Sequence, residues 1–95
     1  MSLTKDPSEI ITVTFDFSAL ATSASNPVVT CTLIGSQADP LAAAMVSGSP
    51  QIDGVKVLQR IAGGVARCVY KLRCEIDDAD GERWVVAGKL EVIKA

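Results

Sequence analysis

The longest regular alternation of apolar and polar positions lies near the end of the chain. Apolar side chains stand at every second position of residues 66–76, namely Ala66, Cys68, Tyr70, Leu72, Cys74 and Ile76. The positions between them are mostly charged, as Arg67, Lys71 and Glu75 show. Because successive side chains of a strand point to opposite faces of a sheet, this pattern predicts a half-buried antiparallel strand.

Shorter segments with a similar pattern predict further strands over residues 10–17, 28–34, 50–53, 55–61 and 82–93. Segments rich in glycine, proline and small polar residues separate them and predict loops, including residues 21–27 and 35–40. Leu41–Val46 fits one helical turn as well as a short strand. About seven short strands without a long amphipathic helix are typical of an all-β sandwich.

The length of 95 residues fits one domain. Residues 1–9 are polar, with a turn at Asp6-Pro7, and predict a flexible leader before a single β-sandwich domain over residues 10–95. Apolar residues make up 48% of the chain, but only Phe15, Phe17, Tyr70 and Trp84 are aromatic. The core is therefore expected to be mainly aliphatic.

Charge and hydropathy exclude several classes of partner. The net charge is −2 and the basic residues do not cluster, so binding to nucleic acid is not expected. No apolar run approaches the roughly 20 residues that span a bilayer, so no membrane partner is expected. The first residues lack the apolar segment of a secretory signal, which predicts a soluble protein made in the cytoplasm.

Catalytic, cofactor and metal sites are not predicted. The chain has no histidine to activate a serine or cysteine nucleophile, and we expect no enzyme activity. The acidic segment Asp77–Glu82 departs from the ligand spacing of a calcium-binding EF-hand loop and predicts a hairpin turn. No cofactor is expected.

Three cysteines, Cys31, Cys68 and Cys74, stand on predicted inward faces. Buried free thiols are the expected state in a cytosolic product. A Cys31–Cys74 disulfide between facing sheets is the alternative, and it would require an oxidising compartment.

Four apolar residues on the outer side of the last two predicted strands form a candidate interface: Val69, Val85, Ala87 and Ile93. Such a patch can mark a protein–protein contact, and it can equally be the ordinary apolar fraction of a surface. Both interpretations stay open from the sequence.

Four short motifs, in order along nearly the whole chain, resemble a group of small immunoglobulin-like virion proteins of tailed bacteriophages and prophages. They are Lys5-Asp6-Pro7, Asp16-Phe17-Ser18, the segment from Ile61-Ala62-Gly63-Gly64 to Cys74, and Asp80-Gly81-Glu82-Arg83. Members of that group often have a tryptophan where this chain has Phe17. The resemblance implies an antiparallel immunoglobulin-like β-sandwich and no catalytic or ligand residues.

The function expected from this resemblance is that of a structural or decoration protein in the head or head–tail region of a phage particle. Its partners would be other virion proteins or a second copy of itself, which makes a homo-oligomer one expected form. Its location would be the virion, with the host cytoplasm during assembly. A bacterial immunoglobulin-like adhesion or carbohydrate-binding module is the alternative, although such modules usually expose aromatic side chains.

Charge pairing predicts the register of the final hairpin. Pairing Glu75 with Arg83 and Arg67 with Glu91 joins opposite charges and lays Tyr70 over Gly88. The competing register sets Ile76 opposite Trp84 and Lys71 opposite Lys89, which places like charges together. We therefore expect the first register.

Overall fold

A computed structural model describes residues 2–34 and 42–94 of the chain. These residues form seven strands and one short 3-10 turn. The strands are β1 (Ser2–Lys5), β2 (Ile10–Asp16), β3 (Ser25–Leu33), β4 (Val46–Asp53), β5 (Lys56–Ala62), β6 (Val69–Asp77) and β7 (Arg83–Val92). The 3-10 turn spans Ala43–Met45, within the segment whose pattern fitted either a helical turn or a strand. The loop predicted over residues 35–40 lies outside the described residues.

The strands form two sheets that pack as a β-sandwich, as the sequence predicted. One sheet has four strands in the order β1-β7-β6-β3, and the other has three in the order β2-β5-β4. Among the described strands, β1 and β7 form the one parallel pair, and the remaining neighbours are antiparallel.

The core lies between the two sheets and is filled by the inward rows of the strands. Phe15, Tyr70, Leu72, Ile76 and Leu90 are fully buried there. The alternation along β6 is therefore confirmed, with its apolar row inside. Tyr70 is the largest of the fully buried side chains.

The segment for which we expected a flexible leader contains a strand, because residues 2–5 form β1. This strand pairs in parallel with β7, from Ser2 opposite Lys89 to Lys5 opposite Val92. Lys5 is only 2% exposed, and its Nζ donates hydrogen bonds to the carbonyl oxygens of Asp6 and Gly63, both at 2.7 Å. A polar residue thus takes an inward position because backbone carbonyls satisfy its ammonium group.

The predicted register of the β6–β7 hairpin is also wrong. Ile76 lies opposite Trp84, Lys71 opposite Lys89, and Leu72, not Tyr70, opposite Gly88. The turn explains this result: Gly81 has a φ of +84°, a conformation suited to a turn and not to a strand. The register that we expected would have made Gly81 a strand residue opposite Asp77.

The hairpin in the observed register still forms one of the two expected ion pairs, between Glu75 and Arg83. The Asp78 N–H donates to the carbonyl oxygen of Glu82 at 2.7 Å and closes the turn. Arg83 lies opposite Asp77 and still reaches Glu75 diagonally, with its Nε 3.1 Å from Glu75 Oε1. The observed register therefore keeps the Glu75–Arg83 attraction, whereas the ion pairs of the described residues do not include Arg67 with Glu91.

Candidate interaction face

The four predicted interface residues lie on the outer face of the four-stranded sheet. Val69 is on β6, Val85 and Ala87 are on β7, and Ile93 directly follows β7. Val85 and Ile93 are 40% and 49% exposed, Ala87 is exposed, and Val69 is half-buried. Their position outside the core follows from the alternation of β6 and β7, whose other rows face inward.

The observed register divides these residues into two groups. Val85 and Ala87 lie towards the hairpin turn. Val69 lies farther from the turn, two rows of outward-facing residues beyond Ala87. The row between Ala87 and Val69 holds Lys71 and Lys89, side by side on neighbouring strands. The face therefore has apolar side chains in two areas, one on each side of a cationic row. Charged residues also stand in these areas, since Glu75, Arg73 and Glu91 lie opposite Val85, Ala87 and Val69.

Two exposed residues on β3 and just after it extend these areas, and the sequence analysis missed them. Val28 lies on β3 in the row of Glu75 and is 52% exposed. Ile34 is 44% exposed, and its N–H donates to the Val69 carbonyl oxygen at 2.9 Å. The signal was present, because the alternation that placed Val29, Cys31 and Leu33 inward also placed Val28 and Ile34 outward.

A shallow depression of about 310 Å³ joins the two areas. Its lining consists of Ile34, Lys71, Ala87, Gly88 and Lys89. Gly88 belongs to the inward row of β7, so it contributes only main-chain atoms to this lining. The depression thus combines an apolar floor with two ammonium groups, a combination that suits an apolar side chain flanked by a carboxylate.

Ion pairs neutralise the end of the face near the hairpin turn. Glu75 pairs with Arg73 at 3.2 Å and with Arg83 at 3.1 Å, and Arg83 also contacts Asp77 at 2.9 Å. The hydrogen bond from Arg83, reinforced by one from Asn26, lowers the pKa of Asp77. In the ion pairs formed by the described residues, neither Lys71 nor Lys89 takes part. The central row of the face is therefore its positively charged part.

The acidic hairpin turn uses its polar groups for its own geometry. Asp78 Oδ1 accepts the Asp80 N–H at 3.0 Å, and the Gly81 N–H donates to the Asp78 carbonyl oxygen at 3.1 Å. Over residues 2–34 and 42–94, no group of three or more histidine, cysteine or acidic side chains is placed to hold a metal ion.

The three cysteines are present as thiols and differ in how far they are buried. Cys31 and Cys74 are buried, and Cys68 is half-buried. The idea that Cys31 and Cys74 face each other across the sandwich is wrong, because β3 and β6 are neighbours in one sheet and Cys74 lies opposite Val29. Burial raises the pKa of the Cys74 thiol to about 11.

Within residues 2–34 and 42–94, no helix has the length and apolar character that a membrane span requires.

Comparison with known proteins places the chain in a class of phage structural proteins. A family model described as podophage GP4 fiber-tail adaptor protein gp77 matches residues 5–89. The match covers most of the chain, from the buried Lys5 to Lys89 in the middle of the outer face, so the protein belongs to this gp77 family. A search of curated proteins gave no match.

Proposed function

We propose that the protein is a non-enzymatic adaptor in the tail of a phage particle, where it helps to join fibres to the tail. The observation that carries this proposal is the family match over residues 5–89, whose description names a fibre–tail adaptor. We therefore propose the tail, where the sequence resemblance had suggested the head or head–tail region. The virion is its site of action, and assembly would take place in the host cytoplasm.

An immunoglobulin-like architecture is part of the proposal. The order β2-β5-β4 corresponds to strands B, E and D of an immunoglobulin domain, and β3-β6-β7 corresponds to C, F and G. The hydroxyl of Tyr70, near the start of β6, bonds to the backbone a few residues upstream, as in a tyrosine corner. Such sandwiches commonly serve as binding modules, which agrees with an adaptor role.

The outer face of the four-stranded sheet is the surface that we propose for the fibre or tail partner. Val85, Ala87 and Ile34 supply apolar contact area, and Lys71 and Lys89 supply charge. Such a face favours a partner that presents apolar side chains with carboxylates beside them, because these carboxylates would pair with the two lysines that docking buries.

A carbohydrate-binding module, the alternative from the sequence, receives less support. Phe15, Phe17 and Tyr70 are fully buried, and Trp84 stands on an inward row of β7. Stacking on a sugar ring needs an aromatic face on the surface, and the four aromatic side chains of this chain all point inward.

The proposal can be tested on phage particles that carry variants of the chain. In V85E/A87E particles we expect fewer fibres by electron microscopy and less of the chain by mass spectrometry, because two buried carboxylates would oppose docking. V65E is the matched control, since Val65 is 52% exposed but lies in the loop before β6.

Two results would contradict the proposal at different levels. Purified wild-type particles without the chain would refute a role in the virion. Particles in which V85E/A87E leaves the fibre number unchanged would refute the choice of this face and leave the adaptor role to another surface.

A further inference from the structure

The sandwich has four edge strands, and three of them carry features that hinder pairing with another chain. β1 is four residues long and ends on the inward-pointing Lys5. β3 contains Pro27 next to a register shift, and β4 contains Gly48 and Pro50 at another. Short strands, inward charges, prolines and bulges are the usual protection of sheet edges.

The remaining edge strand, β2, lacks these features. Its seven residues, Ile10–Asp16, pair with β5 in continuous register from Ile10–Ala62 to Asp16–Lys56. The strand contains no proline, glycine, lysine or arginine. In the described part of the chain, its other side has no neighbouring strand.

Backbone geometry shows which groups lie on this open side. The Phe17 N–H donates to the Val55 carbonyl oxygen at 3.0 Å and continues the ladder towards β5. Because antiparallel ladders alternate, odd-numbered residues of β2 bond to β5 and even-numbered ones direct N–H and C=O groups outwards. Thr12 and Thr14 therefore present the central donors and acceptors of the open edge.

We infer that β2 is a self-pairing edge, which joins two copies of the chain by antiparallel β2–β2 contact about a twofold axis at Val13. This register overlaps the whole strand and sets Thr12 opposite Thr14 of the partner subunit. It keeps the inward apolar row of each copy, with Val13 and Phe15, continuous with that of the other. The two three-stranded sheets then become one six-stranded sheet.

Charge favours a second copy as the occupant of this edge. Asp16 is the one charged residue of β2, and the proposed register places it opposite Ile10 of the partner subunit, away from the other Asp16. Like charges therefore do not oppose each other, and the paired threonines are among the favourable cross-strand pairs.

The size of the contact defines the strength of the dimer. Seven residues per copy fall short of the roughly 20–30 residues on each side of a standard stable interface. We therefore expect a weak dimer that forms at high protein concentration, such as the local concentration in an assembled particle.

Thr14→Pro is the most direct test on the purified full-length chain. The substitution removes an N–H that points to the open side and leaves the β2–β5 ladder intact, as proline is tolerated on that side of an edge strand. Sedimentation equilibrium should show dimerisation of the wild type that weakens at least tenfold in Thr14→Pro. Circular dichroism and thermal unfolding would verify that the variant is folded.

A second pair of variants distinguishes this edge from the outer face of the other sheet. T12K/T14K sets lysine opposite lysine in the dimer, whereas T30K/T32K adds the same charge on the outer face of β3. Dimerisation lost in the first and kept in the second supports the inference. The reverse result, a dimer that survives Thr14→Pro, or a wild-type mass that stays monomeric at millimolar concentration overturns it.

Discussion

The hydroxyl of Tyr70 accepts a hydrogen bond from the Val65 backbone N–H at 3.0 Å. The ring of Tyr70 is fully buried among the inward rows of both sheets, so this bond ties the loop before β6 to the core. The sequence analysis placed Tyr70 inside the sandwich, where the hydroxyl of a buried tyrosine usually finds a partner.

Tyr70→Phe keeps the ring and removes this acceptor. We expect the free energy of unfolding to fall by about 0.5–1.5 kcal/mol, the usual net value of one hydrogen bond. For a domain of this size, that corresponds to a melting temperature lower by about 4–8 °C per kcal/mol. Val65→Ala, which keeps the N–H, is the control, and equal losses in both variants would contradict the role of the bond.

The second prediction concerns Gly64, which has a φ of +100° and packs against β7 and the 3-10 turn. A Cβ at this position would lie 2.8 Å from Val92 Cγ2 and 3.1 Å from Met45 Cε. Gly63 is a matched control because it also has a positive φ, of +72°, but faces open space.

Gly64→Ala should therefore destabilise the fold more than Gly63→Ala does. The difference isolates the steric clash from the backbone strain, and we expect it to be about 1–3 kcal/mol, the usual cost of overpacking. Denaturant unfolding of both variants measures it. Equal midpoints would mean that Val92 and Met45 move aside without cost.

The third prediction concerns Gln59, a polar residue that is only 1% exposed. Three residues of β4, Gly48 to Pro50, stand opposite this one residue of β5, because the register jumps from Ser47–Arg60 to Gln51–Leu58. Gln59 Nε2 donates to the carbonyl oxygens of Ser47 at 3.0 Å and Gly48 at 3.1 Å. The side chain thus supplies the donors that the bulged ladder lacks.

Gln59→Glu should destabilise the fold at neutral pH and do so less at lower pH. Burial of the new carboxyl would raise its pKa in the folded state, so the folded protein would bind the proton more tightly than the unfolded chain. Stability relative to wild type should therefore recover as the pH falls towards the ordinary glutamate value of about 4.3. Gln59→Leu, which cannot ionise, should show no such recovery in parallel urea titrations.

The alternation of β6 shows what the sequence could predict. A period of two fixes which residues of a strand face the core, and the inward positions of Tyr70, Leu72 and Cys74 are confirmed. The same rule placed Val85 and Ile93 outside, and both are exposed. Their binding role remains a proposal, since exposure alone does not select a partner.

Register and edge pairing depended on information that alternation does not contain. Exposed charge pairs are each worth only about 0.2–1 kcal/mol, so the turn conformation at Gly81 outweighed the repulsion between Lys71 and Lys89. β1 was missed because four residues give too short a pattern, and because Lys5 has a polar side chain that only the carbonyl groups of Asp6 and Gly63 make acceptable inside. The inward position of Gln59 has a similar explanation, because the carbonyl groups of Ser47 and Gly48 at the bulge of β4 accept hydrogen bonds from its side chain.

The last prediction concerns the different reactivity of the three thiols. Cys31 and Cys74 are buried, and burial raises the pKa of Cys74 to about 11, so at pH 8 its reactive thiolate is scarce as well as shielded. Cys68 is half-buried and is the most accessible of the three. A thiol reagent should therefore label one group of the native protein first, and Cys68→Ser should abolish that fast phase. All three groups should react after unfolding under non-reducing conditions, because all three cysteines are thiols. Recovery of a single group would instead reveal one disulfide and contradict this prediction.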